Sequence, residues 1–159
     1  SAVGFRILYF LLNKVEGFKL ERAFSPMEDM EKILRDNDIS IFSLESKKEL
    51  KNFKVLGFSL SYELAYTNVL NILDLAKIPF RACDRGEEYP LIMAGGTCVF
   101  NPKPIEDFFD YFVIGDGENV MEEIAKIFVA NTNKTKREKL ELIKNLDGVY
   151  IPILHESIK

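Results

Sequence analysis

Two short apolar runs, each ending directly in glycine, constrain the fold of this chain more than any other feature. They are Leu91–Ala94 and Tyr111–Ile114, within the stretch LIMAGGTCVFNPKPIEDFFDYFVIGDGE. Each run is too short for a helix, and an apolar run that ends at a glycine-rich turn is typical of a buried parallel strand. Gly95–Gly96 and Gly115–Gly117 therefore follow two predicted strands, at the edge where open α/β sheets bind ligands.

Helices and strands alternate along the rest of the chain. Val55–Leu60 is a predicted strand, and Thr67–Lys77 follows it as an amphipathic helix. Helices are also predicted at Glu118–Ala130 and Arg137–Leu146, before a terminal strand at Gly148–Leu154. This alternation predicts a single domain over residues 1–159, with an α/β fold that is doubly wound around a mainly parallel sheet.

The first third of the chain predicts a helix over Gly4–Asn13 and a short strand over Phe18–Phe24. A second helix is predicted to begin with Ser25 as its N-cap and Pro26 as its first residue. Its apolar face consists of Met27, Met30, Ile33 and Leu34. A fold of this class normally starts with a central strand, and no strand pattern precedes the first helix. We therefore expect a fragment of a longer protein that lacks its first strand.

Composition and charge exclude several classes of protein. With 47% hydrophobic and 29% charged residues, the chain is expected to be an ordinary soluble domain. No apolar run approaches the roughly 20 residues of a membrane span, and no signal peptide is visible. A net charge of −4 argues against non-specific binding to nucleic acid. Cys83 and Cys98 show no pairing logic, which favours a reduced cytoplasmic location with both cysteines buried.

The candidate binding residues all follow predicted strands. Glycine at such turns permits a positive φ and lets a ligand approach the backbone without a Cβ in the way. The second turn also opens a helix, so it combines free backbone N–H groups with fixed carboxylates. The candidate set is Ser59, Ser61, Gly95, Gly96, Thr97, Gly115, Asp116, Gly117 and Glu118. Each has a structural alternative, since glycines close tight turns, serine caps helices and an acidic residue suits a helix start.

The sequence contains no recognisable catalytic or metal-binding set. The cysteines are too far apart in sequence to form a CxxxCxxC cluster motif, and neither GxSxG nor HExxH occurs. The single histidine, His155, lies in the C-terminal tail without an evident partner. We therefore predict that the chain by itself catalyses nothing and holds no metal through its cysteines.

The chain contains, in this order, the segments GFRILYFLLN, ERAFSPMEDME, ISIFSLES, VLGFSLSYELAYTNVLNILDLAKIPF, the Gly95–Gly96 turn, NPKP and VIGDGE. These segments resemble the N-terminal module of a family of uncharacterised bacterial radical SAM proteins, from Ser1 to about Pro152. The most specific parts are Phe58–Leu75 and the AGG, NP and IGDGE constellation.

The resemblance implies a domain similar to cobalamin-binding and flavodoxin-like domains, which precedes a separate radical SAM barrel in the same polypeptide. The barrel would be the partner of this domain, and it would hold the 4Fe–4S cluster and S-adenosylmethionine. Cobalamin-linked radical SAM proteins have a similar pair of turns, Gly-Gly-Pro and Gly-Glu-Gly-Glu. In this chain Thr97 replaces the proline and Asp116 the first glutamate. The DxHxxG motif that supplies a cobalt ligand is absent, and Ser1 stands at the histidine position if Gly4 matches the glycine.

Three hypotheses follow from the residues and the resemblance. The domain binds a corrinoid, or keeps the vestige of such a site, with no histidine of its own for the cobalt. Alternatively, it is a structural module that docks on the radical SAM barrel or on a macromolecular substrate. A third hypothesis is a flavin- or nucleotide-binding domain of the flavodoxin type, although the strand before its phosphate loop is lacking.

Overall fold

The computed structural model describes residues 12–60, 64–96, 101–115 and 118–155, without the side chains of residues 64, 65 and 118. Its strands are β1 (Val55–Ser59), β2 (Leu91–Gly95), β3 (Tyr111–Val113) and β4 (Val149–Tyr150). Its α-helices are α1 (Glu28–Asp36), α2 (Leu64–Leu75), α3 (Glu118–Ala130), α4 (Lys136–Ile143) and α5 (Pro152–His155). Short 3₁₀ helices occur at Leu50–Asn52, Ala82–Asp84 and Lys103–Phe108.

The strands form one sheet in the order β1-β2-β3-β4. The first three are parallel, with Phe58 opposite Ala94 and Ala94 opposite Phe112. Strand β4 runs antiparallel to β3, with Tyr150 opposite Phe112. Parallel neighbours need a crossover connection, and α2 supplies the one between β1 and β2. The prediction of an α/β fold with a mainly parallel sheet is confirmed, and the three predicted apolar strands are neighbours in it.

Each face of the sheet has its own apolar core, because successive residues of a strand point to opposite faces. On one face, Phe112 and Leu73 of α2 are fully buried in the same cluster. On the other face, Tyr111 packs edge-on against Phe128 of α3, with the ring centres 6.2 Å apart, and residues of α4 complete that core. Helices therefore cover both faces, as the alternation of elements predicted.

Strand β1 lies at an edge of the sheet that the described residues form. Phe112 is completely buried, as predicted, whereas Phe58 is only half-buried because no described strand covers its outer side. The finer fold assignment, to a flavodoxin-like or cobalamin-binding-like order with a missing first strand, stays a prediction. The predicted helix over Gly4–Asn13 lies almost entirely outside the described residues.

Several boundary predictions are wrong. Helix α1 begins at Glu28 with Met27 as its N-cap, and no side chain caps it, so Ser25 and Pro26 precede the helix. Residues 18–24 belong to no strand, contrary to the predicted strand over Phe18–Phe24. The terminal strand ends at Tyr150, because Pro152 lacks a backbone N–H for the ladder and instead starts α5.

Candidate functional site

The structure brings the ends of β1, β2 and β3 together at one edge of the sheet. Ser59 lies opposite Gly95, and Gly95 lies opposite Val113, two residues before Gly115. The chain continues past β1 with a hydrogen bond of 2.7 Å from the Leu60 N–H to the Gly95 carbonyl. Ser59, Gly95, Gly96 and Gly115 therefore lie at the same, carboxyl edge of the sheet, and their role in binding stays a prediction.

The backbone of Leu60 lies so close to residue 96 that only glycine fits there. Its φ is +116°, which L side chains rarely adopt. A Cβ at this position would overlap the Leu60 carbonyl oxygen and lie 3.0 Å from both the carbonyl carbon and the amide nitrogen of Leu60. The glycine thus permits a close approach between the end of β2 and the segment after β1. Protein packing alone accounts for this glycine without a ligand.

Gly115 differs from Gly96 in its surroundings. Its φ is +88°, but no described atom lies within 4 Å of the position that a Cβ would occupy. The residue itself is exposed, and it lies two residues after the end of β3 and three residues before Glu118, where the 13-residue helix α3 begins. The conformation therefore favours glycine, while no residue that the structure describes occupies the space beside it. Among the described candidate glycines 95, 96 and 115, Gly115 is the one beside which the described residues leave room for a ligand.

The other candidate residues are placed only in part. Ser59 is the last residue of β1 and is exposed. A Cβ added to Gly95 would lie 3.5 Å from the Val113 carbonyl oxygen, which is an ordinary van der Waals distance. Glu118 is the first residue of α3, which confirms the predicted helix start, but its side chain is not described. Ser61, Thr97, Asp116 and Gly117 lie outside the described residues.

A polar cluster surrounds Tyr150, and no motif in the sequence indicated it. The hydroxyl of Tyr150 donates to Glu106 at 2.8 Å and accepts from the Lys103 ammonium at 3.2 Å. Burial and the bond to Glu106 raise the pKa of Tyr150, while the bond to Tyr150 raises the pKa of Lys103. His155 stacks on the Tyr150 ring at 4.8 Å. These contacts hold the Lys103–Phe108 segment and α5 against β4.

His155 does not lie at the glycine edge. It ends α5, which follows β4, and because β4 is antiparallel its course leads away from the carboxyl ends of the other strands. The ring nitrogen Nδ1 lies 3.1 Å from the Ile151 amide nitrogen and 2.6 Å from the Ile151 carbonyl oxygen. The histidine that the sequence places in an unstructured tail is thus part of a helix end.

A second buried polar group lies at the opposite, amino edge of the sheet. The guanidinium of Arg85 is completely buried and bonds the carbonyls of Pro79, Phe80 and Phe108 at 2.9 to 3.0 Å. It also pairs with the Asp110 carboxylate at 3.3 Å. Burial lowers the pKa of Arg85, and Asp110 opposes that change. Periodicity could not reveal this pair, because both residues belong to polar loops.

The cysteine predictions are corrected in part. Cys83 is exposed rather than buried, and it lies in the 3₁₀ helix Ala82–Asp84. Cys98 lies outside the described residues. Within the part of the chain that the structure describes, no group of three or more His, Cys, Asp or Glu residues could hold a metal ion. None of the described helices is long and apolar enough to cross a membrane.

Comparison with known proteins identifies the family. The profile of the family described as radical SAM proteins, N-terminal, matches residues 4–152. An uncharacterized protein of Methanocaldococcus jannaschii is 34% identical over 94 residues, which are 57% of this chain but only 19% of that relative. No solved structure matches the chain. The match to the profile covers nearly the whole chain, and the chain therefore belongs to the family of N-terminal regions of radical SAM proteins.

Proposed function

We propose that this chain is the non-catalytic N-terminal domain of a radical SAM enzyme, fused to a radical SAM domain in the same polypeptide. The family match supports this proposal. So does the relative from Methanocaldococcus jannaschii, which is about five times longer than the matched region. An iron–sulfur cluster of this class needs three cysteines, and this chain contains only Cys83 and Cys98. The fused domain would therefore carry the three cysteines.

Within that enzyme, we propose that the carboxyl edge of the sheet binds a corrinoid or is the vestige of a corrinoid site. The observation that supports this most directly is the space beside Gly115, which no described residue occupies. The N-terminus of α3 and the exposed Ser59 hydroxyl lie at the same edge, where they would bond polar groups of the nucleotide tail or amide side chains. A bound corrinoid would supply a cobalt centre for group transfer.

The described residues fit the polar periphery of a corrinoid better than its metal. His155 is held against the backbone of Ile151 and stacks on Tyr150, so it does not serve as the lower ligand of cobalt. The described residues would therefore hold a corrinoid through its polar periphery, and His155 would supply no imidazole to it.

The test uses the full polypeptide that contains this domain, titrated with hydroxocobalamin. We expect a stoichiometric complex that co-elutes in gel filtration. Gly115→Asn should weaken it at least tenfold, because asparagine tolerates the positive φ but fills the open space. Gly86→Asn is the matched control at the amino edge, where a new Cβ would contact only the flexible end of Glu88. Absence of binding, or equal affinity of the two variants, would reject a corrinoid at Gly115.

A second function, docking, is favoured by a different observation. Four large apolar side chains near α1 are exposed: Phe24, Met27, Met30 and Ile33. Contiguous apolar surface of this kind marks interaction sites in soluble proteins. A domain that had lost its corrinoid would still need such a surface to associate with the rest of the enzyme.

A further inference from the structure

We infer that the apolar row formed by Phe24, Met27, Met30 and Ile33 is the surface on which the fused radical SAM domain docks. This inference rests on the part of the proposed function that joins the two domains in one polypeptide. It does not depend on corrinoid binding, because the row and the glycine edge are separate features. The exposed fractions of the four residues are 65%, 84%, 49% and 52%.

Helix α1 packs little apolar surface against its own domain. It has nine residues, and Leu34 alone among them is buried. A helix this short is marginal in water, and its stability in a protein comes mainly from packing an apolar face. The sequence predicted one apolar face from Met27 to Leu34, but the structure packs only its last residue. Met27, Met30 and Ile33 are successive i,i+3 neighbours and form a continuous row.

The segment before the row is nevertheless firmly fixed. The Glu21 carboxylate accepts from the hydroxyls of Ser43 and Ser46 at 2.7 and 2.6 Å. The next residue, Arg22, donates from its backbone N–H and from Nε to the Glu45 carboxylate at 2.8 and 2.7 Å. These bonds join an irregular segment to the loop 43–46, two residues before Phe24. These hydrogen bonds hold the chain in place just before the exposed apolar row. Because this segment is already ordered, binding through the row has a lower entropy cost.

The opposite end of α1 is anchored as well. Arg35 bonds Asp74 at 2.7 Å and Asn71 at 2.9 Å, both on α2. Between the two anchors, the exposed acids Glu28 and Asp29 form no ion pair with any described residue, whereas Lys32 pairs with Asp36. The row thus has an acidic rim, and the complementary surface on the radical SAM domain would be apolar with basic residues at its margin.

Site-specific photo-cross-linking of the full polypeptide tests the inference. A benzophenone amino acid replaces Met27, which is the most exposed residue of the row, and Leu142 on α4 as the matched control at 47% exposure. We expect cross-links from position 27 to peptides of the radical SAM domain and none from position 142. Cross-links to a second copy, to residues 1–11 or to nothing would overturn the inference.

A second measurement separates docking from folding of α1. The double variant Met30→Gln and Ile33→Gln removes apolar contact but keeps good helix formers. In the full polypeptide we expect α1 amides to exchange at least tenfold faster in this variant than in the Leu142→Gln control. Unchanged exchange would contradict docking. Iron content and cleavage of S-adenosylmethionine, measured on the same samples, show separately whether a radical SAM domain is present.

Discussion

The carboxylate of Glu21 accepts two hydrogen bonds from Ser46, one from its hydroxyl at 2.6 Å and one from its backbone N–H at 3.0 Å. With the additional bond from the Ser43 hydroxyl, these donors stabilise the ionised carboxylate and lower its pKa to about 2. Only 7% of the Glu21 side chain is exposed. The segment leading to α1 is thus attached through a group that must stay ionised.

These hydrogen bonds to Glu21 predict that the stability of the domain falls at acid pH. Because the folded pKa of Glu21 is lower than its unfolded value near 4.5, its contribution is fully present above pH 4.5 and is lost as the pH falls towards 2. Glu21→Gln should flatten the dependence of the unfolding free energy on pH in this window, measured by urea denaturation. Glu123→Gln, at an exposed position on α3, should leave the slope unchanged. Equal slopes for all three proteins would contradict the role of Glu21.

The buried ion pair at the amino edge predicts a large stability effect. Arg85→Ala removes the cation that pairs with the Asp110 carboxylate, which keeps its bond of 2.7 Å from the Ile92 N–H, and it removes a donor from three carbonyls. We therefore expect a loss of about 3–5 kcal/mol in the free energy of unfolding. Arg137→Ala removes an exposed arginine on α4 and should cost less than about 1 kcal/mol. Chemical denaturation of both variants measures the difference, and similar losses would show that Arg85 is not a structural centre.

Substitution by alanine should destabilise the domain strongly at one phenylalanine and hardly at another. Phe112→Ala creates a cavity between β3 and α2 and should destabilise the domain by about 3–5 kcal/mol. Phe24→Ala removes an exposed ring and should change stability by less than about 0.5 kcal/mol in a preparation where the row is free. Thermal unfolding monitored by circular dichroism distinguishes them. A mild Phe112 variant would contradict the assigned core.

Substitution by alanine should also have different effects on stability at Gly96 and Gly115, the two described glycines with positive φ at the carboxyl edge. Gly96→Ala combines strain with overlap onto the Leu60 backbone, so we expect a loss of at least about 2 kcal/mol. Gly115→Ala meets open space and should cost only the conformational penalty, about 1–2 kcal/mol. Denaturant midpoints of the two variants decide the order, and a costlier Gly115 variant would mean that its surroundings are filled.

The outer edge of β1 predicts strand addition. Its sequence, VLGFS, contains neither charge nor proline, which natural edge strands use to prevent pairing. We therefore expect a further strand of the full polypeptide to pair with β1. Hydrogen exchange should then show amides of Val55–Ser59 to be as protected as those of β2. Rapid exchange throughout β1 would show that this edge is open.

Apolar runs and glycines were enough to predict the sheet. Leu91–Ala94 and Tyr111–Ile114 are buried strands because no other element can hide so short and continuous an apolar run between turns. The start of α3 at Glu118 was predicted to the residue, since a glycine turn and an acidic first residue both indicate a helix N-terminus. The position of the two glycine turns at the carboxyl edge of the sheet followed from the parallel pairing of the strands that precede them.

Tertiary structure decided what the local pattern could not. The apolar face of α1 looks in sequence like an ordinary core face, yet only Leu34 reaches the core, because burial depends on what surrounds a helix. Gly96 and Gly115 look alike in sequence, but the backbone of Leu60 occupies the space beside Gly96, whereas no described residue occupies the space beside Gly115. The Arg85–Asp110 pair joins residues 25 positions apart through folding alone. The sequence by itself therefore determined the α/β class and the short apolar strands of the mainly parallel sheet, while contacts distant along the chain determined which faces and turns remain available to a partner.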